Sequence, residues 1–338
     1  MPKRMLIGIL LIGLLLVLAI FFWTSHKPAD LSGRPLQKVT IAAIPHSFTG
    51  YSIFIAFEKG YFKQQGLDVV LKPSYPHGKA ILNAVIKGDV EMGATSETPF
   101  VHAVLGGGKL FAFITTVTAK NHLAIVARKD RGIVTPQDLK GKTIGVTLGT
   151  NGEYFMDLVL LMNGVLRKEV NPVHLKPGQM VDSLVNGKVD AIATWNPPKY
   201  QAQKKLGNRA SVFSAGGIYS PYFIVSATKR YVHENPVVIE KVVRSLQSAS
   251  SLIRANRKKS HQIVAPYMKI EETLLDRLSA TYQFDISLEQ SLLLTMESQS
   301  KWAIKNGLTD STDIPNYLDF IYTDALEKVE PENMTIIK

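Results

Sequence analysis

The chain contains no cysteine. That excludes disulfides, thiolate metal sites, a cysteine nucleophile and lipid attachment at a cysteine. Its 338 residues also contain no G-x-S-x-G, H-E-x-x-H, D-x-D-x-D-G or G-x-G-x-x-G. The usual sequence carriers of serine-hydrolase, zinc-protease, calcium-loop and dinucleotide chemistry are therefore missing. "LGGGKL", Leu105–Leu110, is rich in glycine but lacks the Gly-Lys-Ser/Thr ending of a phosphate loop. It reads as a connection between a helix and a strand. The expectation is a protein with no catalytic residues, no cofactor and no resident metal. His46 has no second histidine or cysteine at ligand spacing. Long runs of one charge are absent too. The net charge of +11 comes from Lys and Arg scattered among Glu and Asp. It reads as general surface charge, with no nucleic-acid partner expected.

Hydrophobic residues make up 46% of the chain and charged residues 20%, enough to bury two lobes of ordinary size. "MPKR" precedes an unbroken apolar run of 19 residues, Met5 to Trp23. That length crosses the hydrocarbon core of a bilayer, and the basic start keeps the N-terminus cytoplasmic. The run ends in "FFWTSHKPAD", without a small-residue cleavage site. An uncleaved signal anchor, residues 1–25, is therefore expected, followed by a linker over 26–37. The rest would lie on the periplasmic or cell-surface side of the cytoplasmic membrane. Cleavage and secretion is the alternative.

From Lys38, "KVTIAAI", "LDVVLKP" and "VEMGAT" have strand character and alternate with the helical patterns "YSIFIAFEKGYFKQQG" and "GKAILNAVIKGD". The same order recurs as "KTIGVTLGT", "GEYFMDLVLLMNG", "VNPVHLKP", "GQMVDSLVNGK" and "VDAIATW". Even the words match: "GDVEMGATSETP" (Gly88–Pro99) and "GKVDAIATWNPP" (Gly187–Pro198) share Gly, Val, an acid, Ala-Thr and Pro in register. Alternating strands and helices imply parallel sheets, so the pattern predicts an α/β protein with one βαβαβ unit used twice. The period, about 100 residues, is too long for a solenoid. Two further extended segments cross between the copies, with polar breaks at Ala119–Asn121 and Gly216–Pro221. They predict two extended hinge crossovers, with one lobe from 38–118 plus 222–338 and the other from 119–221. The tail from Tyr231 reads as helical and is expected to pack on the first lobe.

Four stretches, "AFEKGYFKQQGLDVVL", "AVIKGDVEMGATSETP", "PQDLKGKTIGV" and "LVNGKVDAIATWNPP", resemble the extracytoplasmic solute-binding proteins of ABC importers for nitrate, sulfonates, taurine and thiamine-type pyrimidines. The resemblance covers about Lys38 to Lys229 strongly and the tail loosely. It implies a type II periplasmic-binding-protein fold whose two lobes close on a small molecule. It also implies a monomer that hands its ligand to permease and ATPase subunits. A tethered ligand sensor, and binding or synthesis of a thiamine-pyrimidine precursor, are the alternatives.

Ligands of open α/β sheets sit outside the carboxyl ends of strands, which selects the candidate residues. They are Pro45, His46, Ser47 and Tyr51 after the first strand, and Thr95 and Ser96 in the first repeated stretch. Gly149, Thr150 and Asn151 open a later helix, and Trp195 and Asn196 stand in the second stretch. Tyr219 lies in the second crossover. Each has a plainer reading: core packing for Trp195 and Tyr51, capping for Thr95 and Ser96, hinge packing for Tyr219. Thr98 and Asn196 are expected as helix N-caps. Glu97 is expected near a helix start, away from the ligand.

Overall fold

The acid of each repeated stretch does the same structural job. Glu91 Oε2 accepts from the Thr40 backbone N–H at 2.6 Å, and Asp190 Oδ2 accepts from the Thr143 backbone N–H at 2.8 Å. Thr40 and Thr143 lie in the first parallel strand of their respective copies. The glycine of each stretch has a left-handed backbone, φ 80° at Gly88 and 72° at Gly187. Each thereby turns the chain out of a helix without a Cβ clash. The acid then clamps the neighbouring strand. Glu91→Ala and Asp190→Ala should each destabilise the apo protein by about 1–3 kcal/mol, the cost of orphaning a backbone donor that bonds a charged acceptor. Urea unfolding would check this. An unfolding midpoint unchanged in both variants would count against the clamp.

These observations come from a computed structural model that describes residues 35–337. The apolar run Met5–Trp23 and nearly all of the linker lie outside the described residues. Among the described residues no helix is long and apolar enough to cross a membrane.

Among the described residues, eleven strands form two sheets. In chain order they are β1 (Gln37–Ala42), β2 (Leu67–Lys72), β3 (Met92–Ser96), β4 (Leu110–Ala119), β5 (Leu123–Arg128), β6 (Thr143–Val146), β7 (Asn171–His174), β8 (Ala191–Trp195), β9 (Ala210–Phe213), β10 (Tyr222–Thr228) and β11 (Tyr282–Gln283). The six-stranded sheet has the order β11-β4-β10-β3-β1-β2 and the five-stranded sheet β7-β6-β8-β5-β9. In the first, β2, β1 and β3 run parallel and β10 is antiparallel to β3. In the second, β7, β6 and β8 run parallel and β5 is antiparallel to β8. The antiparallel neighbour of each parallel trio is thus a strand that the chain reaches only after crossing from the other sheet.

Helices follow from the apolar spacing, with one interruption. "YSIFIAFEKGYFKQQG" forms two helices, Tyr51–Glu58 and Tyr61–Gln64, because Gly60 has φ 66° between them. The tail is mainly helical, with its longest helices at Pro236–Ala255 and Gln290–Lys305. It also contributes β11, which the sequence pattern does not announce. Val243, Leu246, Leu275, Leu292 and Met296 of the tail share one apolar core with Ile41, Phe54 and Val225 of the six-stranded side. The five-stranded sheet has separate apolar clusters on its faces, around Ile144 and Phe155 and around Met180 and Leu184.

Candidate functional site

The carboxyl ends of strands from both sheets open on one cavity of about 890 Å³. Pro45, His46 and Ser47 line it after β1, and Thr95 and Ser96 at the end of β3. Thr150, Asn151 and Trp195 line it from the five-stranded side. Eight of the twelve candidate residues therefore meet at one place.

Ser96, not Thr98, is the N-cap of the helix Glu97–Leu105, and its side chain makes no capping bond. Its hydroxyl is left for the cavity. Thr95 Oγ1 donates instead to the Ser96 carbonyl at 2.9 Å. Ser47 bonds Thr49, both at its backbone N–H and at its hydroxyl, and so shapes the loop. Thr150 caps the helix Asn151–Met162 by accepting from the Gly152 N–H at 3.3 Å. Trp195 ends β8 and is half-buried. Part of it packs on the apolar cluster of its sheet and part forms cavity wall.

Four candidates lie elsewhere. Tyr51 is fully buried, its ring 4.4 Å from that of Phe284, because its helix turns this face into the core. Gly149 serves the turn: its φ is 75° and its N–H donates to Glu153 at 2.6 Å. Asn196 is buried and is not an N-cap. The helix Pro198–Leu206 begins after Pro197, and the Asn196–Pro197 peptide is cis. Tyr219 is buried in the second crossover, where its hydroxyl donates to Glu97.

Glu97 does not line the cavity. It is fully buried and also accepts from Gln299 Nε2 at 2.7 Å and from the Tyr222 N–H at 3.0 Å. Burial pushes its carboxyl up to about 7, against the opposing pull of the hydrogen bonds from Tyr219 and Gln299. The network joins the start of one helix, the crossover and the tail.

Several cavity residues were not among the candidates. Tyr75 and His77 follow β2, and Lys176 follows β7. Both loops are strand exits of the kind that selected the other candidates, so the same rule finds them once every strand is included. His122 follows the first crossover, Phe223 lies in β10 and Lys269 in the tail, and none carries such a signal. The non-glycine residues with left-handed backbone among the described residues are His46 (φ 62°), Asn121 (φ 53°) and Lys269 (φ 49°). His46 and Lys269 line the cavity, and Asn121 precedes a lining residue. Strain of this kind concentrates where a ligand must be met.

The polar lining favours an anion. Lys176 and Lys269 face the cavity, whereas the single carboxylate among the described lining residues, Asp182, is paired with Lys205 at 2.9 Å. His46 Nδ1 lies 3.2 Å from the Met268 carbonyl. A carbonyl only accepts, so Nδ1 carries the proton and a neutral His46 has a bare Nε2. His77 is the reverse. Its Nδ1 accepts from the Ala80 N–H, and Nε2 bears the proton. Burial, then His174 and Lys79, pulls the His77 pKa down. The apolar part of the wall includes Tyr75, Trp195, Phe223, Met268 and Ile270.

Two sheets that exchange a strand across a double crossing, with strand exits and helix starts converging on the cleft between them, define a mixed α/β periplasmic-binding-protein fold. A solved alkanesulfonate-binding protein from Xanthomonas axonopodis pv. citri, bound to MOPS, has the same fold. Its TM-score is 0.73 at 19% identity, over 85% of this chain and 98% of that one. The periplasmic nitrate-binding protein of Synechocystis gives a TM-score of 0.69 at 13% identity, over 88% of this chain and 89% of that one. The taurine-binding periplasmic protein of Escherichia coli is 24% identical over 199 residues, 58% of this chain and 61% of its own length. The model of the family described as NMT1/THI5 like matches residues 47–260. The chain belongs to that family.

Proposed function

We propose that the protein is the extracytoplasmic substrate-binding component of an ABC importer, taking up a small organic anion of the sulfonate class. The observation that carries this reading is the cavity shared by both lobes. Lysines and backbone-strained loops face it, the one carboxylate among its described lining residues is paired with Lys205, and apolar side chains complete its wall. A sulfonate head suits the lysines and hydroxyls, and a carbon body suits the Trp195 side. The volume lies within the usual range of small-molecule sites. The sulfonate, taurine and nitrate ligands named for the relatives point the same way. Closure would turn 119–221 against the remainder about the crossovers at Ala119–Asn121 and Gly216–Pro221. The bound solute is released unchanged. Met5–Trp23 holds the monomer to the outer side of the cytoplasmic membrane, where permease subunits receive the closed form.

Isothermal titration with MOPS, taurine and nitrate tests this. A bound probe at a hundred times its dissociation constant should stabilise the fold by about 2.7 kcal/mol. Trp195→Ala should weaken the bound probe by about 1–3 kcal/mol, roughly 5- to 150-fold. Ser96→Ala should cost about 0.5–1.5 kcal/mol from the opposite lobe. Closure needs both contacts, so the double variant should depart from additivity. Normal binding by Trp195→Ala together with early melting would assign Trp195 to the core alone. No response to any probe would remove the anion reading.

A further inference from the structure

His122 immediately precedes β5 and lines the cavity while only 4% exposed. Its Nδ1 is bonded to the hydroxyl of Tyr282, a buried residue of β11. Tyr282 is held against the first crossover by strand pairing with Ala119 and by the Lys120 N–H, which donates to the Thr281 carbonyl at 2.9 Å. Phe223 meets the imidazole edge-on at 5.4 Å. From the five-stranded side, Lys199 Nζ donates to the Asn121 carbonyl at 2.6 Å.

A phenol and an imidazole nitrogen can share a hydrogen bond in two ways. If Nδ1 carries the proton, it donates to the phenol oxygen, and the hydroxyl proton needs another acceptor. If the hydroxyl donates, Nδ1 is bare and the ring proton sits on Nε2. Among the described residues the Tyr282 hydroxyl has one hydrogen-bond partner, His122 Nδ1. Only His122 is then left to accept the hydroxyl proton. The second arrangement follows, and Nε2–H is the polar group left over for the cavity. The ring is neutral, because burial, aided by the Lys199 cation, pulls its pKa down to about 3.

We infer that His122 is a ligand-contacting residue at the floor of the cleft, offering Nε2–H as a neutral donor, and that Tyr282 is the positioning residue that fixes this tautomer. The inference rests on the cleft being the solute site. It selects ligands with an acceptor oxygen, such as an oxyanion, and disfavours an ammonium group at this point. Because Tyr282 and Lys199 reach the crossover from different elements, a ligand held by His122 would bear on the hinge itself.

The test uses the full-length chain with 15N-labelled histidine, and MOPS, taurine and nitrate as probes. The ring should show the neutral Nε2–H tautomer from pH 5 to 8, and adding the bound probe should move its Nε2 signal. His122→Ala should weaken that probe about tenfold or more. Tyr282→Phe should fold, populate the Nδ1–H tautomer and weaken binding about three- to tenfold. An Nδ1–H or doubly protonated ring in the wild type, an Nε2 signal that the bound probe leaves unmoved, or a His122→Ala affinity within twofold of wild type would overturn the inference while the cleft remained the site. If His122→Ala does not fold, the probe-induced shift and Tyr282→Phe decide. If the wild type binds none of the probes, the anion reading falls first, and the ligand role of His122 falls with it.

Discussion

Arg167→Met should destabilise the apo protein by about 3–5 kcal/mol at pH 8, the cost of removing one partner from a buried ionic cluster. Arg167 Nη2 lies 2.5 Å from Glu153 Oε1, and Nη1 lies 2.6 Å from Asp157 Oδ2. The two carboxylate side chains are only 2% and 8% exposed. Without the guanidinium, they share one stretch of helix with no cation between them. Asp157 also accepts from Trp302 Nε1 at 2.8 Å. The cluster therefore ties the helix Asn151–Met162 to the tail helix Gln290–Lys305. Burial already raises the Asp157 carboxyl, and Arg167 is the main opposing influence. Loss of Arg167 raises it further, and a raised carboxyl favours the folded state only where it can be protonated. The deficit should shrink towards pH 5. Urea unfolding of both proteins at pH 5 and 8 measures it. A loss below about 1 kcal/mol at pH 8, or one equal at both pH values, would place the cluster among surface pairs of little weight.

The second large effect is a pH dependence centred on Glu97. Its folded carboxyl is raised from the ordinary 4.5 to about 7, chiefly by complete burial. A raised acid binds its proton more tightly in the folded state. The stability it contributes is full below pH 4.5 and is lost as pH rises through 7. Between pH 5 and 8 the linkage amounts to about 2.5 kcal/mol. Glu97→Gln cannot ionise, so wild-type stability minus variant stability should fall by that amount across the window. Taking this difference cancels the other titrating groups. At pH 5 the variant should be the less stable of the two, because its amide NH₂ meets a donor among Tyr219, Tyr222 and Gln299 (about 1–3 kcal/mol). A difference that stays flat from pH 5 to 8 would mean that Glu97 does not titrate in this range.

Much of the architecture is local in origin and therefore legible. β-branched residues made β1 and β2 visible, and apolar spacing made the helices visible. The polar breaks marked both crossovers. The rule that ligands sit at strand exits brought His46, Ser96, Thr150 and Trp195 to one cavity without any knowledge of the packing. It failed for Tyr51, which already stands on the helix that follows its strand. Each helical residue rotates by about 100°, and whether a given face meets the cleft or the core depends on how the whole helix rolls onto its sheet.

What the amino-acid order determined by itself is the set of elements and the twofold repetition of the βαβαβ unit. The tertiary structure alone decided which strand lies beside each parallel trio. β10 reaches β3, and β5 reaches β8, only after the chain has crossed between sheets. It alone paired the buried polar groups: Glu97 with Tyr219 and Gln299, 122 and 202 residues away, and His122 with Tyr282, 160 residues away. The physical reason is the same in each case. Periodicity and turn chemistry act over a few residues, whereas a polar group withdrawn from water takes whatever partner the packed fold brings within hydrogen-bond reach.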